Sequence, residues 1–258
     1  MTKAGSLVAA DTGKDHLVYY DAFNGRWDKT VGLPDGEGHL EFDEPSGLTE
    51  DRMERLWVSD SGNDRLVVLD PHGSVVSIFS DRGRRKGELK NPGGLADSTN
   101  GRLYVVDRDN ERVQVFSNRG LFLDEWGKRS VKSKRLIKHP IDIAYSDDDR
   151  GSVWILQSGR ETLDRFDLDG GWEESVDLKA LIGDELDIAG ISCDSRFGWL
   201  FALDKKGNRV IVVNSRREVA SIIEMPAGSK ATCLVADEKR GVYVGDSANS
   251  RILYFAKR

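Results

Sequence analysis

An apolar run that ends in Asp, or once in Gln, returns six times along this chain. It reads Leu7-Val8-Ala9-Ala10-Asp11, Leu56-Trp57-Val58-Ser59-Asp60 and Leu103-Tyr104-Val105-Val106-Asp107. The later copies are Val153-Trp154-Ile155-Leu156-Gln157, Leu200-Phe201-Ala202-Leu203-Asp204 and Val242-Tyr243-Val244-Gly245-Asp246. The intervals between their last residues are 49, 47, 50, 47 and 42 residues. A period in this range implies a solenoid or a propeller, in which each unit buries its apolar faces against its neighbours.

Between these marks the chain reads as strands. Each run is followed by a polar turn and a second run, such as Arg65-Leu66-Val67-Val68-Leu69 or Arg209-Val210-Ile211-Val212-Val213. A third strand follows a Gly turn, as at 75–79 and 121–126, and a fourth precedes the Asp run, as at 47–49 and 94–96. These stretches are short, rich in β-branched and aromatic residues and bounded by Gly, Asn and Asp. No window carries a helical period; 176–182 comes nearest and falls where an outer strand and its exit loop belong. The pattern predicts an all-β, six-bladed β-propeller of four-stranded antiparallel blades forming one domain over 1–258. The blades are expected near 6–32, 36–80, 83–126, 133–177, 184–224 and 228–258. With strands lettered a (inner) to d (outer), the first blade shows b, c and d without a, and the last shows a, b and c without d.

The repeat type follows from its polar residues. A Trp-Asp dipeptide occurs once, at Trp27-Asp28, and does not recur. Residues 87–97 read Gly-Glu-Leu-Lys-Asn-Pro-Gly-Gly-Leu-Ala-Asp and lead into Gly101-Arg102-Leu103, the run ending in Asp107, Asn110 and Arg112-Val113-Gln114-Val115-Phe116. This resembles the NHL repeat: Gly, an apolar residue and Pro before an inner strand, then strand, Asp, turn, Asn, Arg and strand. Residues 36–80 form a second good copy, and 133–177, 184–224 and 228–258 form weaker ones.

Composition bounds the rest. The net charge of −6 argues against an evenly basic protein and leaves room for a local patch. Two cysteines make no disulfide framework and fit a reducing compartment. No apolar segment follows Met1, so no signal peptide is read, and no run reaches a membrane span. The expectation is a cytoplasmic monomer.

The turn Asp-x-x-Asn-x-Arg recurs as Asp60/Asn63/Arg65, Asp107/Asn110/Arg112 and Asp246/Asn249/Arg251, with Asp204/Asn208/Arg209 as a shifted copy. Because it recurs in most blades, we read it as structural, with Asp accepting backbone N–H groups and Asn tolerating positive φ. Trp57, Trp154 and Trp199 on b strands are assigned to packing between blades. Cys193 and Cys233, on inner strands, are assigned to the core.

Propellers of related sequence include peptide-amidating lyases, lactonases and streptogramin lyases, so the resemblance allows a metal-dependent enzyme. Its ligands would lie at the inner strands. Those positions here are Ser46, Gly93, Ile141, Ala189 and Thr232, followed by Gly47, Gly94, Asp142, Gly190 and Cys233. They hold no histidine and one carboxylate. His16, His39, His72 and His139 are scattered; His39 and His139 could share a face with Glu44, Asp142 and Asp187, a weak basis for a metal site. No nucleophile elbow, Walker loop or zinc-protease motif occurs. We therefore assign no catalytic residue, metal or cofactor.

Two loops between d and a strands are strongly basic. One carries Arg82, Arg84, Arg85, Lys86 and Lys90; the next carries Lys128, Arg129, Lys132, Lys134, Arg135 and Lys138, with His139. Arg108, Arg112 and Arg160, in turns on the same expected face, could join them. The favoured expectation is a non-enzymatic recognition propeller that binds a protein partner or anionic ligand there. NHL propellers of the tripartite-motif type bind single-stranded RNA through this face, which keeps RNA as an alternative. Neither loop contains the aromatic residues that stack bases. A lyase- or lactonase-like enzyme is the third reading.

Overall fold

The computed structural model describes residues 2–3, 5–32, 40–127, 136–148, 150–194, 198–237 and 241–256. The chain is all-β, with six antiparallel sheets, one per sequence repeat, that form the blades of a propeller fold. It divides into two compact units, 1–130 and 131–258, of three sheets each.

In the first unit, β1 (Ser6–Asp11), β2 (His16–Asp21) and β3 (Trp27–Val31) form a three-stranded sheet. The second sheet runs β4 (Pro45–Glu50), β5 (Leu56–Asp60), β6 (Arg65–Leu69) and β7 (Val75–Phe79). The third runs β8 (Pro92–Asp97), β9 (Arg102–Asp107), β10 (Arg112–Ser117) and β11 (Phe122–Gly127). The b strand β5 is buried along its whole length, whereas β1 has one buried residue, because among the described residues nothing pairs with its inner edge. Core residues interleave between sheets: Trp57, Leu66 and Val68 pack against Leu89, Leu95, Leu103, Val105 and Phe116. The inner strands β4 and β8 approach so closely that a methyl group on Gly47 would land on the Gly93 carbonyl and 3.1 Å from Gly94 Cα. Only glycine fits there.

The second unit begins with β12 (Pro140–Ser146), β13 (Ser152–Gln157), β14 (Thr162–Asp167) and β15 (Trp172–Asp177). The one stretch with some helical character becomes α1 (Leu178–Ile182), capped by the Asp177 carboxylate on the Ala180 N–H at 2.9 Å. Gly183, at φ 83°, ends it. The next sheet is β16 (Ile188–Asp194), β17 (Trp199–Asp204), β18 (Arg209–Val213) and β19 (Val219–Glu224). The last has three strands, β20 (Ala231–Asp237), β21 (Gly241–Asp246) and β22 (Arg251–Phe255). Trp154 is fully buried with Leu156, Leu163, Ile191 and Leu200 around it. Arg217 and Arg165 lie over its ring, 4.7 and 5.9 Å from the centroid. Among the described residues no helix is long and apolar enough to cross a membrane.

Candidate recognition surface

The recurring turn residues are consumed by structure. Asp60, Asp107, Asp204 and Asp246 each close the b strand, and each is buried. One carboxylate oxygen accepts the backbone N–H at the entry of the same blade's inner strand: Asp43 for Asp60, Lys90 for Asp107, Asp187 for Asp204 and Lys230 for Asp246, at 2.7–3.1 Å. The other oxygen takes the Nε of the motif arginine, at 2.6–2.9 Å. Charge-assisted bonds of this kind offset part of the desolvation of the buried carboxylate; at Asp107 burial still outweighs them and holds the carboxyl above its ordinary range.

Gln157 fills the same slot without a charge. Its Oε1 accepts the Lys138 N–H at 2.7 Å, and its Nε2 donates to Asp164 Oδ2 at 2.5 Å. Seven residues separate this pair, as they separate Asp107 and Gln114, where Gln114 Nε2 donates to Asp107 Oδ2 at 3.0 Å. The amide and carboxylate have exchanged strands between the two blades, and the bond survives the exchange.

The positive-φ position differs from expectation. In the three regular copies it is the residue after Asn: Asp64, Glu111 and Ser250, at φ 56°, 52° and 49°. Only in the shifted copy is it the Asn itself, Asn208 at φ 47°. In three blades the side chain at this position clamps the next blade. Asp15 accepts the Glu44 N–H, Asp64 the Asn91 N–H and Asn208 the Ala231 N–H, at 2.6–3.0 Å. Sequence reading missed this role, although an Asp or Asn directly before the motif Arg or its His16 equivalent marks it. Glu44, Asn91 and His139, each just before a proline, also take positive φ, at 50°, 50° and 45°.

The candidate metal ligands serve backbone groups. Asp142 Oδ2 accepts the Ile191 N–H at 2.9 Å, joining inner strands β12 and β16. His16 takes the motif-arginine slot beside Asp11, with Nε2 3.8 Å from Asp11 Oδ2. His39 lies outside the described residues. Among the described residues no three His, Cys, Asp or Glu side chains converge. Cys193 is half-buried against the core, and burial pushes its thiol up to about 12. Cys233 corrects the core assignment: the residue is exposed, although its sulfur packs on Gly245, where a Cβ would collide with it. Trp57 and Trp154 are buried as expected of packing residues, and Trp199 is half-buried.

Of the basic residues, Lys128, Arg129, Lys132, Lys134 and Arg135 lie outside the described residues. Lys138 is exposed at the entry to β12. The loop from β7 to β8 is described in full, and its backbone is pinned. Arg112, itself largely buried, donates from Nη1 to the Arg84 carbonyl at 3.2 Å and from Nη2 to those of Arg85 and Glu88 at 2.9 and 2.8 Å. Asn110 donates to the Gly83 carbonyl at 2.8 Å, and Gln114 to the Glu88 carbonyl at 2.6 Å. From inside the loop, Glu88 Oε2 accepts the N–H groups of Arg84 and Arg85. Arg112 is thus a staple, as the structural reading of its turn expects, and does not join the ligand-facing cations.

The loop cations are not equivalent. Arg82 pairs with Asp64 at 3.3 Å, and Lys90 with Asp109 at 3.1 Å. Lys86 stands 5.9 Å over the Phe122 ring. Arg108, in the turn held against this loop, is half-buried and engaged. Arg84 and Arg85 are exposed, on a backbone that cannot easily move.

An NHL-repeat model matches residues 89–116, which run from Leu89 through β8 and β9 to Phe116. A search of curated protein sequences returns no match. Among solved structures, a streptogramin B lyase aligns at 15% identity and TM-score 0.64, covering 100% of this chain and 81% of that one. Virginiamycin B lyase from Staphylococcus aureus aligns at 12% and 0.63, covering 100% and 83%. Hydrazine synthase from Kuenenia stuttgartiensis aligns at 11% and 0.69, covering 98% and 92%. At such identities the likeness is one of fold.

Proposed function

Taking as premise that this chain is an NHL-repeat β-propeller, we propose that it is a recognition module that binds an acidic segment of a protein partner through the loop at 81–90. The observation that carries this reading is the stapled backbone under two exposed arginines. The Asp107–Arg112 pair fixes the carbonyls of residues 84, 85 and 88. The Arg84 and Arg85 side chains therefore start from a set backbone, and binding a carboxylate costs less ordering entropy than it would on a mobile loop. Guanidinium groups also take carboxylates in a two-pronged geometry that lysines cannot offer. Arg82 and Lys90 are already neutralised by Asp64 and Asp109, which narrows the patch to Arg84, Arg85 and Lys86.

The test is fluorescence anisotropy with a labelled Asp/Glu-rich peptide and, separately, an oligouridine of similar charge, on the wild-type chain and on Arg84→Glu/Arg85→Glu. The proposal expects peptide binding that weakens roughly tenfold or more in the double variant, with an unchanged melting temperature. Peptide affinity indifferent to the substitutions would place the site elsewhere. Binding of the oligouridine alone, with a steep salt dependence, would replace the protein partner by RNA. The fold shared with the two lyases motivates a parallel assay on streptogramin-type substrates, and turnover there would overturn the non-enzymatic part of the reading.

A further inference from the structure

A d strand is the outer edge of its blade, and a sheet edge is a row of unpaired backbone N–H and C=O groups that proteins blunt with charge. Four of the five described d strands do so. β3 carries Asp28 and Lys29, β11 Asp124 and Glu125, β15 Glu173, Glu174 and Asp177, and β19 Glu224. β7 reads Val75-Val76-Ser77-Ile78-Phe79 and carries no charge. Among the described residues it pairs with β6 alone, and the chain runs on either side of it through described residues, 40–74 and 80–127.

β7 is also apolar on both of its faces. Phe79 stacks on Trp57, with ring centroids 5.4 Å apart, in the core shared with the third blade. Ile78 lies opposite Val67, which belongs to the core shared with the first blade. Apolar residues on both faces are typical of a strand inside a sheet, as β6 is. Yet Val75, Val76 and Ile78 are 41%, 49% and 48% exposed, whereas Leu66, Val67, Val68 and Leu69 of β6 are fully buried.

The two ends of this edge differ in charge. The turn before β7, 70–74, holds Asp70 and no lysine or arginine. The loop after it holds Arg84, Arg85 and Lys86 against Asp81, with Arg82 already paired to Asp64. Antiparallel pairing of two such edges sets the acidic end of each beside the basic end of the other, and parallel pairing sets like ends together. Self-pairing of β11 or β15 would instead bring carboxylates together.

We infer that β7 is a dimerisation edge, at which the β7 strands of two copies of this chain pair antiparallel about a two-fold axis at Ser77. Val76 and Ile78 of one copy then lie opposite Ile78 and Val76 of the other, and Ser77 lies opposite Ser77. The two four-stranded blades become one eight-stranded sheet. The same patch serves both copies, so the contact closes and does not propagate. A strand of five residues makes a small interface, so the dimer is weak, with a Kd on the order of 10–100 µM. The monomer expected from the sequence is then the low-concentration form. The inference does not rest on peptide binding at the arginine loop.

The test is sedimentation equilibrium of the full chain from about 5 to 500 µM, with amide hydrogen exchange over the same range. The expected result is a monomer–dimer equilibrium in which exchange over 75–79 slows as the dimer fills. Ile78→Lys sets a cation opposite Val76 on each side of the axis and should weaken dimerisation roughly tenfold or more, at an unchanged melting temperature because the side chain is half exposed. Ile222→Lys, at the matching exposed position of β19, should dimerise as the wild type does. Ser77→Cys under oxidised glutathione should form a disulfide between copies that peptide mapping finds at residue 77. Peptide affinity at Arg84 and Arg85, measured well below the dimer Kd, should be unchanged in Ile78→Lys, so this inference and the proposed function can fail separately. A monomer at every concentration overturns the inference. So does a dimer that survives Ile78→Lys, that is lost equally in Ile222→Lys, or that forms without slowing exchange over 75–79. A dimer of Ser77→Cys with no disulfide at residue 77 overturns the two-fold pairing. A monomer whose exchange over 75–79 slows only with an added synthetic peptide of residues 219–224 gives the edge to another strand and overturns the inference as well.

Discussion

Replacing Gln157 by Asp tests whether the exchanged amide and carboxylate of the fourth blade are a true equivalent of the pair in the third. In the wild-type chain, Asp164 is fully buried and receives the Gln157 amide at 2.5 Å, the Ser175 hydroxyl and, at 4.0 Å, the edge of the Arg160 guanidinium. Gln157→Asp removes that amide donor and sets a second carboxylate beside the first in a buried site. Loss of a hydrogen bond to a buried charge, together with the like-charge contact, should cost roughly 3 kcal/mol. For a chain of this size that corresponds to a fall of roughly 6–12 °C in melting temperature. Adding Asp164→Gln restores a single carboxylate hydrogen-bonded to an amide, with the polarity of Asp107 and Gln114, and should recover about half of the loss. Full recovery is not expected, because Thr162 stands where the third blade has Arg112. The pH dependence has a definite sign. Burial and the neighbouring charge raise the folded pKa of the introduced carboxyl pair above its unfolded value, so the folded state holds the proton more tightly. The deficit of the single variant is therefore smallest at low pH and grows as pH rises through the raised pKa. Thermal melts by circular dichroism between pH 4 and 8 would measure all three quantities. A single variant that melts within about 1 °C of wild type, or a double variant no more stable than the single, would refute the reasoning.

Three further outcomes are expected. Arg112→Lys keeps the charge but loses the fork that holds the carbonyls of residues 84, 85 and 88. It should cost about 2 kcal/mol and speed tryptic cleavage at Arg84 and Arg85, seen by mass spectrometry of timed digests. Asp97, at the end of β8, has its carboxyl pushed up to about 7 by burial and then by the charge of Asp51. Its contribution to stability is complete below the ordinary carboxylate range and is lost as pH rises to and through about 7, so Asp97→Asn should flatten that decline in melts taken across the range. Gly47→Ala forces a methyl group onto the Gly93 carbonyl and should destabilise the first unit by about 2–4 kcal/mol, whereas Gly101→Ala, with open space around it, should be limited to the cost of its positive φ.

The sequence by itself determined the repeat and the strand order within each blade, including the three strands that the described residues of the first and last blades form. These follow from local alternation and from a motif that each unit repeats, so they survive without knowledge of any contact between units. It also identified the Asp, Asn and Arg turns as structural, because a feature that recurs in most blades is poorly explained by one ligand. The tertiary structure alone decided what each polar residue does. Arg84 and Arg112 are the same residue type, 28 positions apart; one is exposed, and the other is buried beneath the loop that carries the first. That difference arises because strand β10 delivers Arg112 under the next-door loop, a non-local placement no window of sequence reports. The exchange of Asp107–Gln114 for Gln157–Asp164 was equally hidden, since either partner alone reads as a departure from the motif. The exposure of β7 was visible only against its buried neighbour β6, because burial depends on what lies across the sheet edge and not on the apolar residues of the strand itself.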